Sequence, residues 1–238
     1  MKLIKKDGVK KEIKIMETIN YKGYDINIDY DEIAESPMEW DNLGTMVCWH
    51  NRYSLGDEKA HENYVYSKEC KIKNLTDYCD NWDEVEEVLK KEFNTLVILP
   101  LFLYDHSGIS MRTYRHGQHS SWDGGWVGFI FVEKDKVKKE WNVKRVSAKL
   151  KKKIEEILSS EVNTYDDYIQ GNVYHYSVED KHGNDIDSCG GFYGYDHEKS
   201  GLLSEAKSTI DWYIKKEINK KQTRLKTLIK NKVELQYR

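Results

Sequence analysis

Two unbroken apolar runs, Leu96 to Leu103 and Trp126 to Val132, constrain this chain more than any other feature. A strand with one wet face alternates apolar and polar residues, so a run without alternation belongs to a strand covered on both faces. The two runs are therefore expected to pair at the centre of a sheet. Pro100 cannot donate to a ladder, which predicts a bulge or a break in the first run. A chain of 238 residues can build such a core without disulfides or a metal.

The remaining elements are read around that centre. Tyr24 to Tyr30 alternates at the period of a half-buried strand, and Thr45 to His50 follows the turn signals Ser36-Pro37 and Asp41 to Gly44 as a second strand. Asn81 and Glu84 have capping-box spacing, with acids in the first turn and Lys90 and Lys91 in the last, so a helix starts there with Val85, Val88, Leu89 and Phe93 inward. Val173 to Val178 and Asp185 to Asp187 form a hairpin through Lys181 to Asn184. Leu203, Ala206, Ile210, Ile214, Ile218, Leu225, Leu228 and Ile229 keep a three-and-four rhythm that predicts one long closing helix.

The expected class is α+β: a mixed, mainly antiparallel sheet of strands near 24–30, 45–50, 95–103, 126–132 and 173–187. Helices fall near 82–93, 134–141, 146–160 and 202–233. Residues 1–200 read as a single domain, and the helix of 201–238 packs on it or projects.

Composition excludes several classes. Lys+Arg 38 against Asp+Glu 41 gives a net charge of −3, which rules out a uniformly basic nucleic-acid coat and an acidic tail. The charge is uneven: 134–156 and 201–238 each carry ten basic and four acidic residues, leaving −15 for the other 177. Such lysine-rich helices are solvated faces, or they contact nucleic acid or an acidic protein surface. No run approaches the roughly 18 to 20 apolar residues of a membrane span, and the N-terminal residues lack the apolar core of a signal peptide, so a soluble cytoplasmic protein is expected. The four cysteines have irregular spacing and no C-x-x-C pair, which fits a reducing compartment. No metal or other cofactor is expected.

The residues that carry chemistry concentrate between the two apolar runs. Asp105 and His106, then His116, His119, Trp122 and Trp126, stand in a loop-like stretch holding three of the eight histidines. His116 and His119 have helical metal-ligand spacing, but Gly117 argues for a turn, and no carboxylate stands at a diagnostic distance. A second loop, Cys189-Gly190-Gly191 to His197, brings Tyr193 and Tyr195 beside glycines that permit positive φ. Cys48 and His50 share a strand face about 6.6 Å apart, with nothing to activate the thiol. An enzymatic alternative uses His106, His119 and His175 on a phosphodiester, because His119-Ser120-Ser121 and His175-Tyr176-Ser177 are both H-x-S. Eight histidines and 24 hydroxyl residues give about 0.8 such matches by chance.

The tracts Ser36 to His50, Leu55-Gly56-Asp57, Leu99 to Gly108, Trp126 to Ile130 and Gly191 to Asp196 resemble a family of uncharacterised proteins carried by bacteriophages and mobile elements. The resemblance spans most of residues 36–210 and implies an accessory protein expressed inside a bacterium. It carries over no catalytic residues. Accessory proteins of this kind often occupy a host protein, anti-CRISPR inhibitors among them, so the expected partner is a host defence protein or nucleoprotein complex.

Overall fold

The computed structural model describes residues 16–57, 72–77, 79–105, 108–114 and 124–231. The chain divides into two compact units, one of Met1–Ala34 with Asn172–Arg238 and one of Glu35–Gly171. The α+β class is as read, but the strands divide into two four-stranded sheets, each wholly antiparallel. Hydrophobic period fixes which face a strand buries, and it carries no information on which partner the strand takes.

In the unit Glu35–Gly171 the strands are β3 (Thr45–Cys48), β4 (Thr95–Asp105), β5 (Ile109–Arg112) and β6 (Gly124–Glu133), in the order β3-β6-β4-β5. The long runs resolve into two alternating sets. Met46, Leu101, Ile130 and Val132 meet Ile154, Leu158, Val162 and Tyr165 of helix α3 (Ala148–Ile169). Val47, Phe129 and Phe131 meet Val85 and Leu89 of helix α1 (Trp82–Glu92) and Leu75 of a short 3-10 turn. Each face thus has its own helix, which is why neither run alternates. Helix α2 (Lys134–Glu140) follows β6 directly and buries Val137.

Two local expectations can be checked atom by atom. The Asn81 side chain accepts the Glu84 N–H at 3.0 Å, and the Glu84 carboxylate in turn accepts the Asp80 N–H at 2.8 Å. Such a cap is worth about 1 kcal/mol. Pro100 stays inside β4 opposite Phe129, and the ladder to β6 shifts register at Thr95/Val97 and again at Leu101/Phe102. β5 pairs only with 102–105. Among the described residues β4 therefore has an open edge at Pro100, where a missing N–H is tolerated.

The other unit holds β1 (Glu17–Tyr21), β2 (Tyr24–Tyr30), β7 (Val173–Glu179) and β8 (Asp185–Tyr193), in the order β1-β2-β7-β8. A two-residue turn, Lys22-Gly23 with both φ positive, joins β1 to β2. Ile26, Ile28, Tyr174, Tyr176 and Val178 face Leu202, Leu203, Ala206 and Ile210 of helix α4 (Leu202–Lys230). The opposite face is polar: Thr18 donates to Asn27 at 2.9 Å, Asn27 donates to Glu179 at 3.1 Å, and Asp29 stands across from His175. No described helix is long and apolar enough to cross a membrane.

Candidate functional site

The loop after β3 is closed on itself before any side chain is considered. The Trp49 N–H continues the ladder to the Val127 carbonyl at 2.7 Å, and the Asp57 N–H returns to the Met46 carbonyl at 2.7 Å. Gly56 bridges Val47 with φ +78°, and a Cβ there would stand 2.7 Å from the Met46 carbonyl oxygen. Only glycine fits that approach. Residues 49–55 are therefore a short excursion with both ends against β3.

Two side chains of that excursion converge on the end of β4, and a third stacks on one of them. Arg52 ion-pairs with Asp105, and the Tyr53 hydroxyl lies 3.5 Å from the other Asp105 oxygen. The His50 ring stacks on Tyr53 at 5.0 Å, and the Arg52 guanidinium lies 5.4 Å from the same ring. His50 Nδ1 accepts the Arg52 and Tyr53 N–H groups at 3.2 and 3.3 Å. A ring nitrogen that accepts is unprotonated, so the neutral imidazole carries its proton on Nε2 and offers it as a donor. The cluster thus sets a guanidinium and a phenol on one carboxylate, with the His50 ring stacked on the phenol.

Of the sequence candidates, Asp105 belongs to this cluster. Trp126 lies in the aromatic layer beneath α1, stacked on Trp82 at 5.8 Å and packed against Phe102 and Phe129, with its N–H donated to the Gly128 carbonyl at 3.0 Å. His106, His116, His119 and Trp122 lie outside the described residues. In the other unit, His175 sits on β7 on the same face as Ser177, and its Nδ1 donates to the Tyr30 carbonyl at 3.1 Å. Tyr193 ends β8 opposite Val173, and Tyr195 is well exposed. Arg52 and Tyr53 escaped sequence reading. The only trace of them is a His-x-Arg-Tyr string just past a strand.

Cys48 and His50 do not form a working pair. Cys48 is buried and burial pushes its thiol far up, so no thiolate forms there near neutrality. His50 lies beyond the last residue of β3, with its ring turned to Tyr53. Among the described residues no group of three His, Cys, Asp or Glu side chains could hold a metal ion.

One helix positions the loops. From α3, Glu161 accepts the Leu43 and Gly44 N–H groups at 2.7 and 2.9 Å, the Tyr165 hydroxyl accepts the Gly56 N–H at 3.0 Å, and Asp166 accepts the Met111 N–H at 2.7 Å. Burial pushes the Glu161 carboxyl above its ordinary range, and the two N–H donors and Lys136 partly offset this. Gly44 has no room for a side chain, because a Cβ would come within 2.8 Å of Ile130, Leu158 and Glu161. The Asp41 to Gly44 motif is therefore a fastening of the fold.

The charged helices differ in what else they carry. Lys149, Lys151, Lys152 and Lys153 begin α3 on its exposed side, against the helix dipole, with Ser147 as the cap. In α4 the last residue to join the apolar cluster is Ile214. Residues 215–230 hold seven Lys or Arg against Glu217 alone, and Ile218, Leu225 and Ile229 are half exposed among them.

No protein-family model, curated protein or solved structure matches this chain.

Proposed function

We propose that this chain acts by binding: it is a phage or mobile-element accessory protein that occupies a host defence protein or nucleoprotein complex, in the manner of anti-CRISPR inhibitors. The observation that carries the reading is the second half of α4, a helical surface with an apolar stripe and a net charge of +6 that its own unit does not cover. Exposed apolar residues that recur in register, rather than singly, mark a surface built for contact. The resemblance to mobile-element proteins supplies the cellular setting. Affinity capture of the tagged protein from a nuclease-treated bacterial lysate carrying defence systems is expected to yield one stoichiometric partner. An empty column overturns the proposal.

A second reading, cleavage of a phosphodiester, is favoured by His175. Its Nδ1 is committed to the Tyr30 carbonyl, which leaves Nε2 as the basic nitrogen on a polar sheet face. The other two histidines of that reading are His106 and His119. His175→Ala at unchanged fold abolishes activity on linear or cyclic nucleotides under this reading and leaves binding intact under the first. Direct binding of nucleic acid through the lysine-rich helices is the third reading, and it requires affinity that falls steeply with salt.

A further inference from the structure

We infer that the start of α3 and the loop before it form a surface that binds the phosphate backbone of a double-stranded nucleic acid. The inference rests on the third reading above and places it on one of the two lysine-rich regions.

From Trp141 to Ile154 the chain carries six cations and no acid. Trp141, Val146 and Leu150 pack on the core cluster, and Lys144, Arg145 and Lys149 between them are exposed. The loop is fixed where it leaves α2: the Asn142 N–H returns to the Lys139 carbonyl at 3.2 Å and the Val143 N–H to the Lys138 carbonyl at 3.0 Å, with Asn142 at φ +49°. At 100° per residue, Lys149, Lys152 and Lys153 fall within about 100° of arc, opposite the side on which Ile154, Leu158 and Val162 are buried. The Lys153 ammonium lies 6.0 Å from the centre of the Trp141 ring, which brings the loop and the helix onto one surface. Five cations therefore share it: Lys144, Arg145, Lys149, Lys152 and Lys153. Lys151 is exposed outside the arc, and Glu156, one turn further on, ends the patch.

Among the described residues none of these five cations forms an ion pair, whereas Lys22, Lys90, Lys199, Lys207 and Lys220 elsewhere each hold a carboxylate. Helices α1, α2 and α4 each place an acid in the first turn and α3 places none, so the positive end of its dipole adds to the lysines. Such a surface fits a row of negative charge, and its remaining features select the row. Protein interfaces are depleted in lysine and anchored by aromatic or apolar residues, and here Trp141, Val146 and Leu150 are turned to the core. A bilayer holds a basic patch firmly only with an apolar face or an acyl chain beside it, and the arc of Lys149, Lys152 and Lys153 has no apolar side chain. Single strands are held by stacking on exposed aromatics, and Trp141 is half-buried. A duplex presents a charge at roughly every 1.7 Å of its axis and binds through charge alone.

The test titrates the full chain into fluorescein-labelled duplexes of DNA and of RNA and follows anisotropy from low to high salt. Binding to either duplex is expected whatever its sequence, with log affinity falling against log salt at a slope of about 4. Lys149→Gln/Lys152→Gln/Lys153→Gln should weaken binding about tenfold or more and lower that slope by about 3. Cations at a helix start oppose its dipole, so this variant should melt no lower than the wild type, which separates lost binding from lost fold. Lys220→Gln/Arg224→Gln/Lys226→Gln on α4 should leave binding within about twofold of the wild type. Unchanged binding by the first variant overturns the inference. So does an equal loss in the α4 variant, or equal or tighter binding of the single strands, of polyglutamate or of phosphatidylserine vesicles. If the α4 variant loses binding while the α3 variant keeps it, this surface is wrong and the third reading stands. A wild type that binds neither duplex overturns both.

Discussion

Two four-stranded antiparallel sheets stand in one chain, and they differ in what covers them. The sheet of β3 to β6 has helices on both faces, and its central strands are unbroken apolar runs. The sheet of β1, β2, β7 and β8 has a helix on one face and a polar network on the other, and its strands alternate. Periodicity thus reports how many faces are dry, independently of strand direction. The same contrast sets where each unit is vulnerable.

The largest expected effect is in the two-sided sheet. Phe129 is fully buried between α1 and the strands, so Phe129→Ala should cost about 3 to 5 kcal/mol. Hydrogen exchange should show β3, β4 and β6 losing protection while β2 and β7 keep theirs. If both sheets lose protection together, the two units unfold as one and the comparison breaks.

Next is the fastening from α3. Glu161→Gln leaves one of two N–H groups without an acceptor and should cost about 1 to 3 kcal/mol in denaturant melts. The wild type also has a pH signature. Burial raises the carboxyl in the folded state, so the fold binds that proton more tightly than the unfolded chain does. Stability from this group therefore falls as the pH rises through the raised value. The wild type should gain on the Gln variant as the pH drops from neutral toward the ordinary carboxylate range. A gap that shrinks instead would mean that the Glu161 carboxylate is solvated.

On the polar face the stakes are lower. Asn27→Ala removes the amide between Thr18 and Glu179 and should lower the stability read from urea melts by about 1 to 3 kcal/mol, because Asn27 and Glu179 are themselves buried. A loss as large as that at Phe129 would show a face as dry as its counterpart.

The smallest effect is local. The Asn184 side chain and backbone hold the partly exposed Asp180 carboxyl at about 2, below its ordinary value. Its contribution is complete above the ordinary carboxylate value and is lost as the pH falls through about 2. Amide exchange in the β7–β8 turn should rise there, and Asp180→Ala should flatten the response.

Much of the fold was legible because burial is periodic. Tyr24–Tyr30 lies where its alternation puts it, and α1 begins at the cap that Asn81 and Glu84 announce. β1 and β5 were missed because they are short and, unlike the equally short β3 with its Met46-Val47-Cys48, carry no consecutive apolar residues. Helix α3 runs past Ser160 to Ile169 through Asn163, Thr164, Asp166 and Asp167, which are poor helix formers. Val162 and Tyr165 hold it there by packing on the sheet, a tertiary effect absent from local propensity. At the site, Asp105 was visible as a polar residue ending an apolar run. Its partners Arg52 and Tyr53 lie 53 and 52 positions away, a separation that no local pattern encodes.

The three fastenings of α3 have a kinetic meaning. Glu161, Tyr165 and Asp166 hold the loops at 43–44 and 56 and the strand at 110–111, and all three lie in the last three turns of one helix. Ordering of these far-flung segments waits on a single local event, the completion of that helix end. Their native contacts should form after the folding transition state and score near zero in φ-value measurements, while Leu158 scores high. A chain frayed at Tyr165 would keep its sheet and release its loops in one step.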